Sequence, residues 1–322
     1  MILPSIENQL NFLFSLQRKG IKLGLKHTRD LLGHINNPEK DLIMIHIAGT
    51  NGKGSTAACL NSILIESGYK VGLYTSPHLI NFNERIRVNG FPIKNDEIIS
   101  FIKTIDTAIQ KIDSTFFEVT TAMALKYFQD HNVDIAVIET GLGGRLDSTN
   151  VIEPIMTIMT PISMDHMDIL GNSIQQIAKE KSGIIKDDIM LITAKQDRVV
   201  MDILFDKAKE KKTSIIVSED PLNISIDPSG TSFSLDKKNY KTPLIGDFQA
   251  VNASLAISAI GHFDNKITHK AICKSLRGLH WPGRLQSLSK KIYYDVAHNE
   301  SGIKATLRSF NMIYPDHNIY GL

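Results

Sequence analysis

The chain of 322 residues has only two cysteines, Cys59 and Cys273, too few for a disulfide framework or a cysteine metal site. A reducing compartment is the default for such a chain. Neither sign of charge dominates. Lys and Arg total 36 against 34 Asp and Glu, a formal net charge of +2. That balance argues against a nucleic-acid groove as the main business, while leaving room for a local basic patch. No apolar run reaches about 18 residues, so no transmembrane helix and no membrane partner are expected. The N-terminal stretch "MILPSIENQLNFLF" lacks a basic leader, and Glu7, Asn8, Gln9 and Asn11 interrupt it, so it does not read as a signal peptide. A cytoplasmic location follows as the expectation. Internal repeats and low-complexity tracts are also missing. What remains is ordinary globular composition, 42% hydrophobic and 22% charged, with length for about two domains.

Several short apolar runs suit strands buried on both faces: residues 42–48, 70–75, 133–139, 155–160 and 189–193. Helical patterns lie between several of them, so a mainly parallel sheet covered on both sides is expected. From about Leu222 to Leu244 apolar and polar residues alternate around Pro228-Ser229-Gly230, which reads as an antiparallel hairpin. A helix follows, with Ala253, Ala256, Ile257 and Ile260 on one face. "HWPGRLQ" (280–286) breaks the pattern as a hinge. Beyond it, a strand ending at Asp295, a helix over "SGIKATLRSFNMI" and the start of a strand at "HNIYGL" are expected. About 40 residues are too few for a separate hydrophobic core.

Four stretches carry chemistry. "HIAGTNGKGS" (46–55) joins a strand to a helix with Ala57, Leu60, Ile63 and Leu64 at helical spacing. Glycines let backbone amides turn inward, and a helix N-terminus adds positive dipole, so this is the context of a phosphate cradle. The usual phosphate-loop spacing fails at both ends, because Gly49 is three positions before Gly52 and Gly54 parts Lys53 from Ser55. A glycine-rich turn is the bland alternative. "ETGLGGRLDSTN" (139–150) puts Glu139 at a strand's C-terminal end, where open α/β sheets bind ligands. A lone carboxylate there also serves as a helix cap. "TPISMDHMDILG" (160–171) offers His166 between Asp165 and Asp168. His166 and Glu139 either hold a divalent cation together or are separately structural.

Lys181 is the most informative single residue. Ile174, Ile177 and Ala178 precede it, and Ile184 and Ile185 follow it, at spacings that put it in the middle of a helix's apolar face. A buried ammonium must be paired, deprotonated or modified. Otherwise its stem packs and its tip reaches water.

Taken in order, "GTNGKGS", "TSPHL", "NERIRVNG", "ETGLGGRLDSTN", "DHMDILG", "EKSGIIK", "WPGR" and "DVAHN" resemble folylpolyglutamate synthase and the bifunctional dihydrofolate synthase form, a branch of the Mur ligase superfamily. The resemblance covers nearly the whole chain, and the shortened loop with Gly between Lys and Ser is that family's own version. It implies an α/β Mur-ligase-type phosphate-loop ATPase domain over residues 1–282. An appended small antiparallel β element and the start of a Rossmann-like glutamate-ligase domain, incomplete over residues 283–322, complete the expected fold. It implies ligation of L-glutamate to a folate or dihydropteroate carboxylate through an acyl phosphate, using MgATP, by a monomer. ATP would be held by Gly49, Thr50, Asn51, Gly52, Lys53, Gly54 and Ser55, with Asn252, Arg284, Asp295 and His298 from the second domain and hinge. Ser76, Glu139 and His166 match the magnesium ligands, Lys181 the lysine carbamylated in relatives, and Arg85 a loop near the folate substrate. Lys53, Glu139, His166 and Lys181 are thus the catalytic set. Phe248 stands where many relatives have His, which puts one adenine-side contact in doubt, and Glu300 where Pro is common, with little expected effect. Relatives continue beyond this length, so the C-terminal domain is expected to be cut short. The competing expectations are another Mur-type amino-acid ligase, a phosphate-loop kinase or GTPase, and an inactive nucleotide-binding remnant.

Overall fold

The computed structural model describes residues 5–20, 24–289 and 292–320. Its strands in chain order are β1 (Met44–Ala48), β2 (Val71–Tyr74), β3 (Ile86–Val88), β4 (Phe91–Pro92), β5 (Ile135–Glu139), β6 (Met156–Met159), β7 (Leu191–Thr193) and β8 (Ile215–Val217). Beyond these lie β9 (Leu222–Asp227), β10 (Gly230–Leu235), β11 (Lys238–Thr242), β12 (Gln286–Ser289) and β13 (Ile292–Tyr294). The helices are α1 (Ile6–Ser15), α2 (Lys26–His34), α3 (Lys53–Glu66), α4 (Asn95–Ile112), α5 (Phe116–Asp130) and α6 (Met167–Leu170). The chain then adds α7 (Ile174–Lys181), α8 (Arg198–Glu210), α9 (Asp247–Phe263), α10 (His269–Arg277) and α11 (Glu300–Ile313).

The first eight strands form one sheet in the order β4-β3-β2-β5-β1-β6-β7-β8. All neighbours from β2 through to β8 run parallel, and β3 and β4 close one edge antiparallel. The five runs read as buried strands are the sheet's centre. β1 and β5 are buried at every residue, as helices on both faces require. One face packs α3, α9 and α10, the other α1, α2, α4 and α5. The order places the C-terminal ends of β1, β5 and β6 side by side, and each feeds one of the polar loops singled out above.

The fold departs from expectation in four places. Residues 222–242 make a three-stranded antiparallel sheet, β11-β10-β9, rather than one hairpin, because "NYKT" extends the alternation past the Asp236-Lys237 turn. β8 and the β3–β4 pair were not expected; each is only two or three residues long, below what periodicity can register. The lysine-bearing helix stops at Lys181 and continues as a 3-10 turn, Ser182–Ile184. Residues 317–320 form no strand, and 321 and 322 lie outside the described residues. The segment after the hinge holds a two-stranded hairpin, β12–β13, and α11, and no apolar side chain beyond Leu285 is fully buried among the described residues.

Candidate active site

The loop between β1 and α3 is fastened from the side. The amides of Thr50 and Asn51 donate to the Pro161 carbonyl (3.0 and 3.4 Å), and Thr50 Oγ1 donates to the Ser163 carbonyl (3.0 Å). Those two amides are therefore engaged, and the unpaired N–H groups of α3's first turn, starting at Lys53, form the mouth of the cradle. Two glycines are required by close approach. At φ of +147° a Cβ on Gly49 would lie 1.9 Å from Thr160 Oγ1, and at φ of +89° one on Gly52 would lie 2.1 Å from Asn252 Oδ1. Lys53 folds over the loop, donating to the carbonyls of Gly49 (3.2 Å) and Thr50 (3.1 Å). Ser55 is buried one turn into the helix.

Lys181 arrives from the other side. It is buried among Ile177, Ala178, Ile184 and Ile185, so the apolar-face reading holds and the water-reaching alternative does not. Nζ donates to the Gly49 carbonyl at 2.8 Å. Burial, followed by the nearby positive charge of Lys53, pushes its pKa down to about 7. A large neutral fraction at physiological pH is the form that nucleophilic uptake of CO2 needs.

Glu139, at the end of β5, is buried, and its Oε2 accepts the Ser76 amide at 3.1 Å. Burial raises its pKa; Lys53, the Ser76 amide, Arg284 and Arg85 pull the other way. Above Gly54 the site closes. A Cβ there would lie 3.5 Å from Glu139 Oε2, 3.5 Å from Trp281 Nε1 and 3.6 Å from Arg284 Nη2, so β5, the hinge and the loop meet at one point. Asn252, buried on α9, backs Gly52 and donates to Gln249 Oε1 (3.0 Å).

His166 is half-exposed, in left-handed backbone at φ of +48°. Burial lowers its pKa, and Lys181, Lys53 and His298 add to this against the opposing pull of Asp165. It thus shares the field of the two lysines that flank the loop. Asp295 anchors the hinge: its carboxylate accepts the amides of Leu285 (2.6 Å) and Ala297 (2.7 Å), pinning it to β13's end. His298 is exposed near Asp165.

Arg85 lies on the edge-strand side, in a 3-10 turn (Phe82–Arg85) before β3. Its guanidinium is buried, sits over Phe116 (5.2 Å) and Phe117 (5.8 Å), and donates from Nε to His78 Nδ1 at 2.7 Å. Its Nη1 is buried with no hydrogen-bond partner. A buried guanidinium with an open donor is costly, and a polar or anionic ligand group would complete it.

Residues 47–260 match the Mur ligase middle domain. The dihydrofolate synthase/folylpolyglutamate synthase of Bacillus subtilis is 38% identical, over 93% of this chain and 75% of that protein. The chain belongs to the folylpolyglutamate synthase/dihydrofolate synthase family of Mur ligases. A solved Mycobacterium tuberculosis folylpolyglutamate synthase, complexed with ADP and AMPPCP, superposes with a TM-score of 0.87 at 31% identity, covering 95% of this chain and 74% of that one. A folylpolyglutamate synthase complex with AMPPCP and folate also gives 0.87, at 30% identity, covering 95% of this chain and 80% of that one.

Most of the family motifs thus meet around one loop, yet several residues that hold it or its neighbouring loop in place were not singled out as site residues from sequence. Asn299 pairs with Asn51 in both directions (3.1 and 3.0 Å) and donates to Asp165 Oδ2 (2.9 Å). Ser163 and Ser301 bond hydroxyl to hydroxyl at 2.7 Å. Asp147, buried with its pKa raised by burial, accepts the amides of Leu142 (2.7 Å) and Thr149 (3.0 Å) and so shapes the second glycine loop. Asn299, Asp147 and Ser163 lie inside stretches quoted above and Ser301 two residues beyond one, and that placement was the signal available.

Proposed function

We propose that the chain joins L-glutamate to the carboxylate of a folate or dihydropteroate, driven by ATP through an acyl phosphate. The observation that carries this reading is Lys181: a lysine depressed to about 7 and bonded to the carbonyl of a phosphate-loop glycine. A phosphate-loop kinase or GTPase gives such a residue no task, and a Mur-type ligase does.

In this reading the α3 amides and Lys53 hold the ATP phosphates, with Lys53 exchanging its loop carbonyls for phosphate oxygens. Asn252, Arg284, Asp295 and His298 bound the nucleotide side, and Asp295 also anchors the hinge beside Arg284. Ser76, Glu139 and His166 would hold magnesium, and the fit is chemical: Glu139 is a buried carboxylate oxygen donor beside Ser76. The bound ion would supply charge neutralisation between the γ-phosphate and the attacking carboxylate. Carbamylation would turn Lys181 from a cation into an anionic oxygen donor. Arg85, with Phe116, Phe117 and His78 around it, faces the folate or pteroate; a relative has been solved with folate. The functional division falls at 282/283, so that the hinge residues and the C-terminal segment close over the nucleotide.

The test is phosphate release from MgATP with L-glutamate, run separately with dihydropteroate and with tetrahydrofolate. Release that needs both glutamate and one pterin substrate establishes the ligase and its substrate. ATP binding without any glutamate-dependent release refutes it.

A further inference from the structure

The middle of β1 carries a histidine where an apolar residue would pack as well. Ile45 and Ile47 pack among the residues of α3 and α9, so His46, between them, points to the opposite face of the sheet. There it meets the loop after β5. His46, Thr149 and Asp147 are all buried and form a chain: His46 Nε2 lies 2.8 Å from Thr149 Oγ1, and Thr149 Oγ1 lies 2.5 Å from Asp147 Oδ1. The surroundings fix its direction. Asp147 Oδ1 accepts the Thr149 amide (3.0 Å) and Oδ2 the Leu142 amide (2.7 Å), so both oxygens are acceptors and the Thr149 hydroxyl donates to Oδ1. Oγ1 must then accept from His46, which puts the imidazole proton on Nε2 and leaves Nδ1 bare. Nδ1 is indeed buried without a hydrogen-bond partner. Burial, with the charge of Lys186 second, lowers the pKa to about 3, so the ring is neutral at pH 7 and has one proton to place. A bare buried acceptor is costly, and the bond from Nε2 is what the residue gives in return.

The chain ends on the wall beside Arg85. Asp147 Oδ2 turns Gly141 and Leu142 back toward itself, and Phe117 of α5 fills the space that a side chain at Gly141 would need. A Cβ there would lie 2.6 Å from Phe117 Cε1 and 3.3 Å from Asp147 Oδ2. Ser148 Oγ donates to the Phe117 carbonyl at 3.3 Å, a second tie between the loop and α5. Phe117 in turn lies against the Arg85 guanidinium, whose Nη1 has no hydrogen-bond partner. We propose that His46 and Thr149 are positioning residues for the pterin substrate, setting through Asp147 the wall that Gly141 and Phe117 build beside Arg85. The identity of the substrate rests on the ligase reading; the positioning rests on the hydrogen-bond chain alone.

Paired variants test it. Thr149→Val removes the hydroxyl with little change of shape, and Thr149→Ser keeps it. His46→Leu removes the Nε2 donor, and His46→Gln restores one of similar reach. Phosphate release from MgATP and L-glutamate is measured against pterin and against ATP concentration. Thr149→Val and His46→Leu should each raise KM for the pterin about tenfold, with kcat and KM for ATP within about twofold of the parent. Thr149→Ser and His46→Gln should recover most of that loss. Two readouts need no turnover. Nitrogen NMR of the parent should show a neutral His46 protonated at Nε2. Hydrogen exchange should show the amides of Leu142 and Thr149 losing protection in Thr149→Val while those of β6 keep theirs. A parent without glutamate-dependent release overturns the ligase reading, and the positioning is then decided by these two. An Nδ1–H tautomer, unchanged exchange at Leu142 and Thr149, pterin and ATP KM values rising together, or no recovery in either conservative variant overturns the proposal.

Discussion

Lys181 has a pH signature that separates burial from ordinary packing. Its pKa falls from 10.5 to about 7, so the unfolded chain binds a proton that the folded chain lacks between those values. Stability contributed at this position therefore rises with pH across that window; the penalty is full below about 7 and vanishes above 10.5. Lys181→Met should accordingly raise the melting temperature at pH 7, with the gain shrinking steadily toward pH 10. A gain independent of pH, or none at pH 7, would show that the amine is charged and compensated. Arg85 sets the converse case. Its pKa is lowered by burial and its Nη1 is open, so the fold gains little from its charge. Arg85→Met should leave stability within about 1 kcal/mol of the parent and nucleotide affinity unchanged. It should raise KM for the pterin substrate about tenfold, a loss of ~1.4 kcal/mol in binding. An equal loss of ATP affinity would move Arg85 out of the substrate role.

At the scale of single elements, the phosphate loop is where packing is least forgiving. Gly52→Ala places a methyl in left-handed backbone and drives it into Asn252 Oδ1. The backbone costs about 1 kcal/mol and the overlap about 1–3 kcal/mol. Removing the obstacle tests the split: urea denaturation of Gly52→Ala/Asn252→Ala should show about 1 kcal/mol less destabilisation than the two singles summed. Strict additivity would mean that the strain is all in the backbone. The sequence made this loop readable because a buried run, three glycines and an apolar-periodic helix occur in the order that a parallel α/β unit needs. The same logic exposed Glu139 and Lys181, one as a strand end and the other by its position among isoleucines. It failed where contacts are not periodic. Nothing local in Asn299 marks it as a partner of Asn51, because that bond depends on how the chain returns after the hinge. Asp295 was legible as important, but its bonds to the Leu285 and Ala297 amides were not, since they depend on the path of the hinge. Short strands such as β3 and β4 gain their stability from the sheet edge and leave no pattern of their own.

For the molecule as a whole, the question is how a segment without a core of its own stays in place. Polar contacts supply the answer. Asn299 caps α11 through the Gly302 amide (2.9 Å) while pairing with Asn51 and Asp165 on the ATPase side. Arg308 adds an ion pair to Asp247 at the start of α9. One side chain therefore does two jobs that substitution can part. Asn299→Asp keeps an acceptor for the Gly302 amide and adds negative charge favourable to a helix N-terminus. It loses the Nδ2 donor, however, and sets a second carboxylate against Asp165 at roughly hydrogen-bonding distance, where like charges repel. Asn299→Ala loses the cap, worth about 1 kcal/mol, without creating that repulsion. Hydrogen exchange should then distinguish them. In Asn299→Asp the amides of α11 should stay protected while hinge residues 278–285 exchange faster, an effect relieved by added salt. In Asn299→Ala the first turn of α11 should lose protection itself, with weaker dependence on salt. Protection at β1 and β5 should not change in either. If both variants left hinge exchange at the parent level, the segment would be held by the Arg308–Asp247 pair and the hinge backbone. Closure over the phosphate loop would then not depend on the Asn51–Asn299 contact.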